Sequence, residues 1–233
     1  VRRQDQLRSA SLETGQLAID IETVVFDDMN DYFALAEEKN RQCEYSIAWV
    51  GWPGRKRNVG VFMAGNHSAS ISPDELAKHR VKHPRLSVPI DAPSVLSNSV
   101  NAMIFNRVYY LLKSMRAGSG RQHYESFFYP LDGLGSWNRL YGKRGFFQLQ
   151  FVVPKDNKEA LRDIMSELRK SGLGCFLSVL KLFGDRPSPG IMSFPMPGYT
   201  LALDFPNRGP ATVETLKRMN SMVLEAGGRI YPA

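Results

Sequence analysis

Lys181 stands between Leu180 and Leu182 in an apolar run that reads as a strand. An ammonium is costly to bury unless it is paired or opens onto a cavity. Lys181 is therefore expected either to face a bound anion or to stand on an edge strand or a solvent face. Two amides invite the same question. Gln148 and Gln150 lie two residues apart within Phe146 to Val153. A strand there places both side chains on one face of its sheet.

The common catalytic templates are missing around these residues. The sequence has no phosphate-binding glycine loop, no GxGxxG at a strand-to-helix turn and no GxSxG elbow. The four histidines are His67, His79, His83 and His123, and none belongs to an HExxH pair. His79 and His83 are four apart, but no acidic or cysteine ligand is placed with them, so no metal is expected.

The elements that must position Lys181 and the glutamines fall into two similar units. Leu17 to Phe26 alternates like a strand. Asp27 or Asp28 can cap a helix to about Lys39, with Met29, Tyr32, Phe33 and Ala36 on one side. Tyr45 to Trp52 and Val59 to Ala64 read as strands around the Pro53-Gly54 break. The order then recurs. Phe146 to Val153 is a strand, and Asp156 or Asn157 caps a helix to Ser171 with Leu161, Ile164, Met165 and Leu168 at helical spacing. Gly172 suits its stop. Phe176 to Phe183 and Thr200 to Phe205 are strands, followed by a helix over Thr212 to Ala226 and a short strand, Arg229 to Tyr231.

This pattern predicts an α+β fold: a mostly antiparallel sheet from two split-βαβ (ferredoxin-like) units, with helices on one face. The other face would need a cover, and a partner domain is a natural one. Between the units, Gly65 to Gly145 is long for a connector, and such insertions are often functional. Within it Pro93 to Met115 reads as a helix with Val100, Met103, Ile104, Val108 and Leu111 on one side, broken by Ala117-Gly118-Ser119-Gly120.

Composition narrows the classes. The chain has 233 residues, 43% hydrophobic and 23% charged, enough for a core. It has no run of ~18 apolar residues that could cross a bilayer. The opening VRRQDQLRSASLETG is polar, lacks a signal-peptide core and begins without Met, as a trimmed or internal start would. Cys43 and Cys175 are expected as buried reduced thiols in a cytoplasmic protein, with their pairing as the alternative. The net charge is +7. Basic clusters at 55–57, 79–83 and 139–144 would attract nucleic acid, anionic lipid or a phosphorylated substrate, or would simply be solvated. No RNP-type signature accompanies them, so no nucleic-acid partner is expected.

Residues 124–154 and 176–206 carry a resemblance. The pieces are FYPLDGLGSWNRLYGKRGFFQLQFVVP, FLSVLKLFG and MSFPMPGYTLALDFP, with EYSIAWVG, VGVFMAGNH and LEAGGRIYPA in support. Together they resemble the C-terminal substrate domain of the decaprenylphosphoryl-β-D-ribose oxidase family, within the vanillyl-alcohol-oxidase-type flavoproteins. The resemblance implies that residues 1–233 form a single substrate-binding or cap domain of a larger protein whose FAD-binding domain is not in this chain. By itself the chain is then expected to bind little or no FAD.

The implied reaction oxidises a secondary hydroxyl of a sugar to a ketone and passes hydride to FAD. The resemblance makes Lys181 the residue that approaches both cofactor and substrate, and it makes Gln148 and Gln150 pocket-lining. Tyr129 and Asn138 are softer substrate-side candidates, and Trp137 reads as a structural aromatic. A cysteine that some members carry near Gln150-Phe151 is missing. The implied partners are a sugar or polyprenyl-phosphoryl sugar, a partner reductase and a peripheral membrane contact. Two rivals stay open: an aldonolactone or alditol oxidase domain, and a non-catalytic basic module binding lipid or nucleic acid.

Overall fold

Eight strands form one antiparallel sheet in the order β10-β7-β9-β8-β2-β3-β1-β5. The computed structural model describes residues 17–51, 58–72, 74–75, 86–91, 99–115, 117–129, 134–187, 190 and 193–231. The lead-in, the 55–57 and 79–83 basic clusters and the first turn of the expected connector helix lie outside them.

The first unit is β1 (Ala18–Phe26), α1 (Met29–Lys39), β2 (Tyr45–Val50) and β3 (Gly60–His67). Asp28 caps α1, its carboxylate accepting from the amides of Asn30 and Asp31 at 2.7 and 3.1 Å. The expected face of Met29, Tyr32, Phe33 and Ala36 is buried. The connector follows: β4 (Leu86–Ser87), α2 (Ser99–Ser114), β5 (Gly118–His123), α3 (Tyr124–Phe128), β6 (Leu134–Gly135) and a 3₁₀ turn, Trp137–Tyr141. The second unit is β7 (Phe146–Pro154), α4 (Lys158–Ser171), β8 (Ser178–Phe183), β9 (Gly198–Pro206), α5 (Pro210–Glu225) and β10 (Arg229–Ile230). Asn157 caps α4, and Gly172 ends it at φ +66°, a backbone that glycine adopts without a Cβ penalty.

Each unit places its third strand between its first two, giving β1-β3-β2 and β7-β9-β8. That is the expected split-βαβ pairing. The units join where β8 pairs with β2, with Ala48 opposite Leu180 and Trp49 opposite Val179.

One face of the sheet carries α1, α4 and α5. Leu149, Phe151 and Val153 of β7, Leu180 and Leu182 of β8 and Leu201, Leu203 and Phe205 of β9 meet Leu161, Ile164, Met165 and Leu168 of α4 there. Burying each of these side chains contributes roughly 1.5–3 kcal/mol. Phe33 of α1 packs edge-on against Tyr199 of β9 at 4.9 Å, so the two units share this core.

The connector covers part of the other face. Ile47, Trp49, Val61 and Met63 of β2 and β3 pack there with Tyr109 and Tyr110 of α2 and Phe127 and Phe128 of α3. Two features differ from the sequence expectation. Gly118 to His123 is a strand, although it lacks β-branched residues. Its backbone pairs with β1, and Arg121 forms a 2.6 Å ion pair with Asp20. The apolar side of α2, Val100, Met103, Ile104, Val108 and Leu111, faces out. The helix instead anchors through Ala102 and Asn106, whose side-chain amide donates to Cys175 O at 2.9 Å.

Candidate functional site

The face of β7, β9 and β8 opposite α1, α4 and α5 carries Lys181, Gln148 and Gln150. On β7 the core takes Leu149, Phe151 and Val153, so Gln148 and Gln150 face the other way. On β8 the core takes Leu180 and Leu182, so Lys181 faces the other way too. The register aligns them through β9. Lys181 is opposite Thr200, Gln150 opposite Ala202 and Gln148 opposite Asp204.

Each glutamine is tied to β9 by one hydrogen bond. The Gln150 amide donates to the Thr200 hydroxyl at 3.4 Å. The Gln148 amide donates to Asp204 Oδ1 at 3.0 Å. Asp204 is fully buried, and its second oxygen has no hydrogen-bond partner among the described residues. Burial pushes its carboxyl up to about 6, partly offset by the Gln148 hydrogen bond.

β8 lies between β9 and β2, so Lys181 is not on an edge strand. Its side chain is half-buried, and among the described residues no carboxylate forms an ion pair with it. Burial holds its ammonium below the usual lysine range. A half-buried cation beside amides and a hydroxyl can orient an oxygen-rich ligand and offset negative charge that develops on it.

The 3₁₀ turn stands at one end of this face. Tyr141 stacks on Phe146 at 4.5 Å and meets Phe176 edge-on at 5.4 Å. Burial, with the Asp204 charge beside it, pushes the Tyr141 hydroxyl far up. Trp137 packs on Phe146 at 5.4 Å, as a structural aromatic does. Asn138 on the same turn is exposed, and Tyr129 after α3 is exposed as well. Neither makes a hydrogen bond to the Lys181 group among the described residues. Arg139, from the third basic cluster, donates to Val88 O and Pro89 O and so has a structural use.

Thr200 and Asp204 were not singled out from the sequence. The signal was present: in TLALD, Thr200, Ala202 and Asp204 alternate with the core residues Leu201 and Leu203. Both cysteines are free, and burial raises both thiols. Among the described residues no three His, Cys, Asp or Glu side chains converge as a metal site would require.

No family model matches the chain. It is 33% identical over 195 residues to the decaprenylphosphoryl-beta-D-ribose oxidase of Mycolicibacterium smegmatis. The match takes in 81% of this chain and 42% of that relative, so the chain corresponds to less than half of the relative's length. Lys181, Gln148, Gln150, Thr200 and Asp204 all lie in the sequence pieces that carry the resemblance. Over four-fifths of its own length, the chain is similar to this decaprenylphosphoryl-beta-D-ribose oxidase.

Proposed function

We propose that this chain is the substrate-holding domain of a FAD-dependent oxidoreductase that oxidises a secondary hydroxyl of a sugar carried on a polyprenyl phosphate. The observation that supports this best is the polar group of Lys181, Gln148 and Gln150 on a face of the sheet that the chain's own helices cover only in part. The related oxidase, by its name, acts on a decaprenylphosphoryl sugar.

The bound flavin would supply the hydride acceptor. The residues here fit a neighbour that becomes anionic on reduction, because Lys181 brings to this face a cation without a paired carboxylate among the described residues. In this reading Lys181 holds negative charge on the cofactor or on a substrate oxygen. The two glutamines bind sugar hydroxyls and orient the carbon that loses hydride. Thr200 and Asp204 fix the glutamine amides and so set which way their carbonyl oxygens point. In this reading the FAD-binding part would lie in a segment outside this chain, as the 42% coverage of the related oxidase suggests.

The test is made on the complete polypeptide, purified and examined by visible absorption. Adding a polyprenyl-phosphoryl ribose without oxygen should bleach the flavin. A flavin that stays oxidised would overturn the lipid-sugar substrate and favour aldonolactones or alditols. A protein with no flavin would sink the oxidoreductase reading altogether.

A further inference from the structure

Arg139 of the third basic cluster serves the fold, but its neighbours Lys143 and Arg144 are exposed. Both ride on a tight turn between the 3₁₀ turn and β7. Gly142 and Gly145 flank them at φ +66° and +69°, and the Gly145 N–H donates to Gly142 O at 3.1 Å. Left-handed backbone at both glycines lets the turn close. A second turn abuts the first: the Asn207 N–H donates to Gly145 O at 3.1 Å. This second turn carries exposed Arg208. Its backbone is fixed, since the Arg208 N–H donates to Thr212 Oγ1 at 3.0 Å and the Gly209 N–H to Asn207 Oδ1 at 2.9 Å. Lys143, Arg144 and Arg208 thus stand on two joined, hydrogen-bonded turns.

Little in the chain beside them offsets this charge. Residues 134–154 contain Arg139, Lys143 and Arg144 and no Asp or Glu, and residues 205–213 contain Arg208 and no Asp or Glu. Asp204, just before the second stretch, is fully buried, and Glu214, just after it, lies one turn into α5. Among the described residues, Lys143, Arg144 and Arg208 form no ion pair. α5 begins at Pro210 with no acidic residue in its first turn, so the positive end of its dipole falls at the same corner. The corner therefore presents a positive field to solvent.

The corner closes the two strands that carry the glutamine group. Pairing of β7 with β9 ends there with Phe146 opposite Pro206, and Gln148 opposite Asp204 is the next pair on the same face. Arg144 and Gln148 are four residues apart, so their Cα atoms are separated by at most ~14 Å. A sugar held at Gln148 and Gln150 therefore brings an anionic group joined to it towards the cations. A nucleic-acid strand fits less well. The rings beside the corner, Trp137 and Tyr141, are packed on Phe146 at 5.4 and 4.5 Å and are not free to stack bases.

We propose that Lys143, Arg144 and Arg208 form an anion subsite that holds the phosphodiester of the substrate, beside the glutamines that hold its sugar. The inference rests on the reading of this chain as the substrate-holding domain for a lipid-linked sugar. It makes the corner a determinant of specificity. A sugar with a phosphate attached to its ring is anchored at two places, whereas a neutral glycoside or a free alditol is held at one.

The experiment is calorimetric titration of the complete polypeptide with farnesylphosphoryl ribose and with farnesyl riboside, which lacks the phosphate. The phosphate compound should bind about tenfold tighter or more, with an advantage that shrinks in added salt. Lys143→Glu with Arg144→Glu should abolish that advantage, and Lys143→Gln with Arg144→Gln, a milder change at the same exposed turn, should reduce it. Lys217→Glu, at an exposed position of α5, should leave it intact. Equal binding of the two ligands, or an undiminished advantage in the Glu double variant, would overturn the proposal. So would tighter binding of a single-stranded oligonucleotide that the same variant loses. Flavin absorbance separates this inference from the reading beneath it. Bleaching by the phosphate compound with no effect of the variants on its binding removes the subsite alone. Phosphate-dependent, variant-sensitive binding without bleaching keeps the subsite and removes the oxidase reading.

Discussion

Lys181 lies directly across the β8–β9 ladder from Thr200, and the hydroxyl of Thr200 accepts the Gln150 amide from the next strand. Three neighbouring strands therefore meet at one polar spot beside the seam between the two units. A cation on a central strand is an expensive choice for stability alone. Its placement makes sense where something anionic is to be held.

Lys181→Ala in the complete polypeptide should slow flavin reduction by roughly a hundredfold or more, the range seen when a single stabilising donor is removed. Stopped-flow absorbance under anaerobic conditions reads this directly. A rate equal to that of the parent protein would remove Lys181 from the mechanism.

Lys181→Met should keep or raise the stability of the chain at neutral pH. Burial lowers the ammonium's pKa in the fold, so the charged form is disfavoured there. That cost is fully present below the folded pKa and disappears as pH rises past the unfolded value. Urea unfolding at pH 7 compares the two proteins, and a less stable Met variant would show that Lys181 is paired in the fold.

Asp204 should make the chain less stable as pH rises from about 4 to about 6. Its carboxyl is raised to about 6 in the fold from 3.8, so the folded state holds the proton longer. Stability from this group is complete below the unfolded value and is lost up to the folded one. The shift corresponds to at most about 3 kcal/mol. Asp204→Asn should remove this part of the pH dependence. Parallel unfolding series for the two proteins across pH 4–7 check it, and identical slopes would refute the assignment.

Gly198→Ala should destabilise by about 3 kcal/mol or more. A Cβ there would lie 2.1 Å from the Val153 carbonyl oxygen, which is held in the β7–β9 ladder and cannot give way. Gly184→Ala, with open space around its Cβ, should be close to neutral. Thermal melts of both variants make the comparison.

Leu168→Ala should cost about 2–5 kcal/mol through the cavity it leaves between α4 and the sheet. The measurement is the urea midpoint at constant slope.

Local patterns in the sequence were enough for the two units. Alternation in β1, helical spacing in α1 and α4 and a cap at Asp27 or Asp28 and at Asp156 or Asn157 each depend on near neighbours, and the fold has the strand, both helices and caps at Asp28 and Asn157. The common face of Gln148 and Gln150 followed from the period of a strand. β5 escaped notice because Gly118, Ser119 and Gly120 have little strand preference of their own; β1 supplies the pairing.

What the sequence determined by itself was the element order within the two units, the core faces of α1 and α4 and the resemblance on which the proposed function rests. Only the tertiary structure decided that β8 lies inside the sheet, that Thr200 and Asp204 adjoin the two glutamines, and that the apolar side of α2 turns outward. The physical reason is that a period tells which residues share a face, whereas the partner of that face is set by contacts between residues far apart in the chain. For α2 the periodicity was real, but Asn106 bonded to Cys175 O and Tyr109 packed on Trp49 hold the opposite side against the sheet.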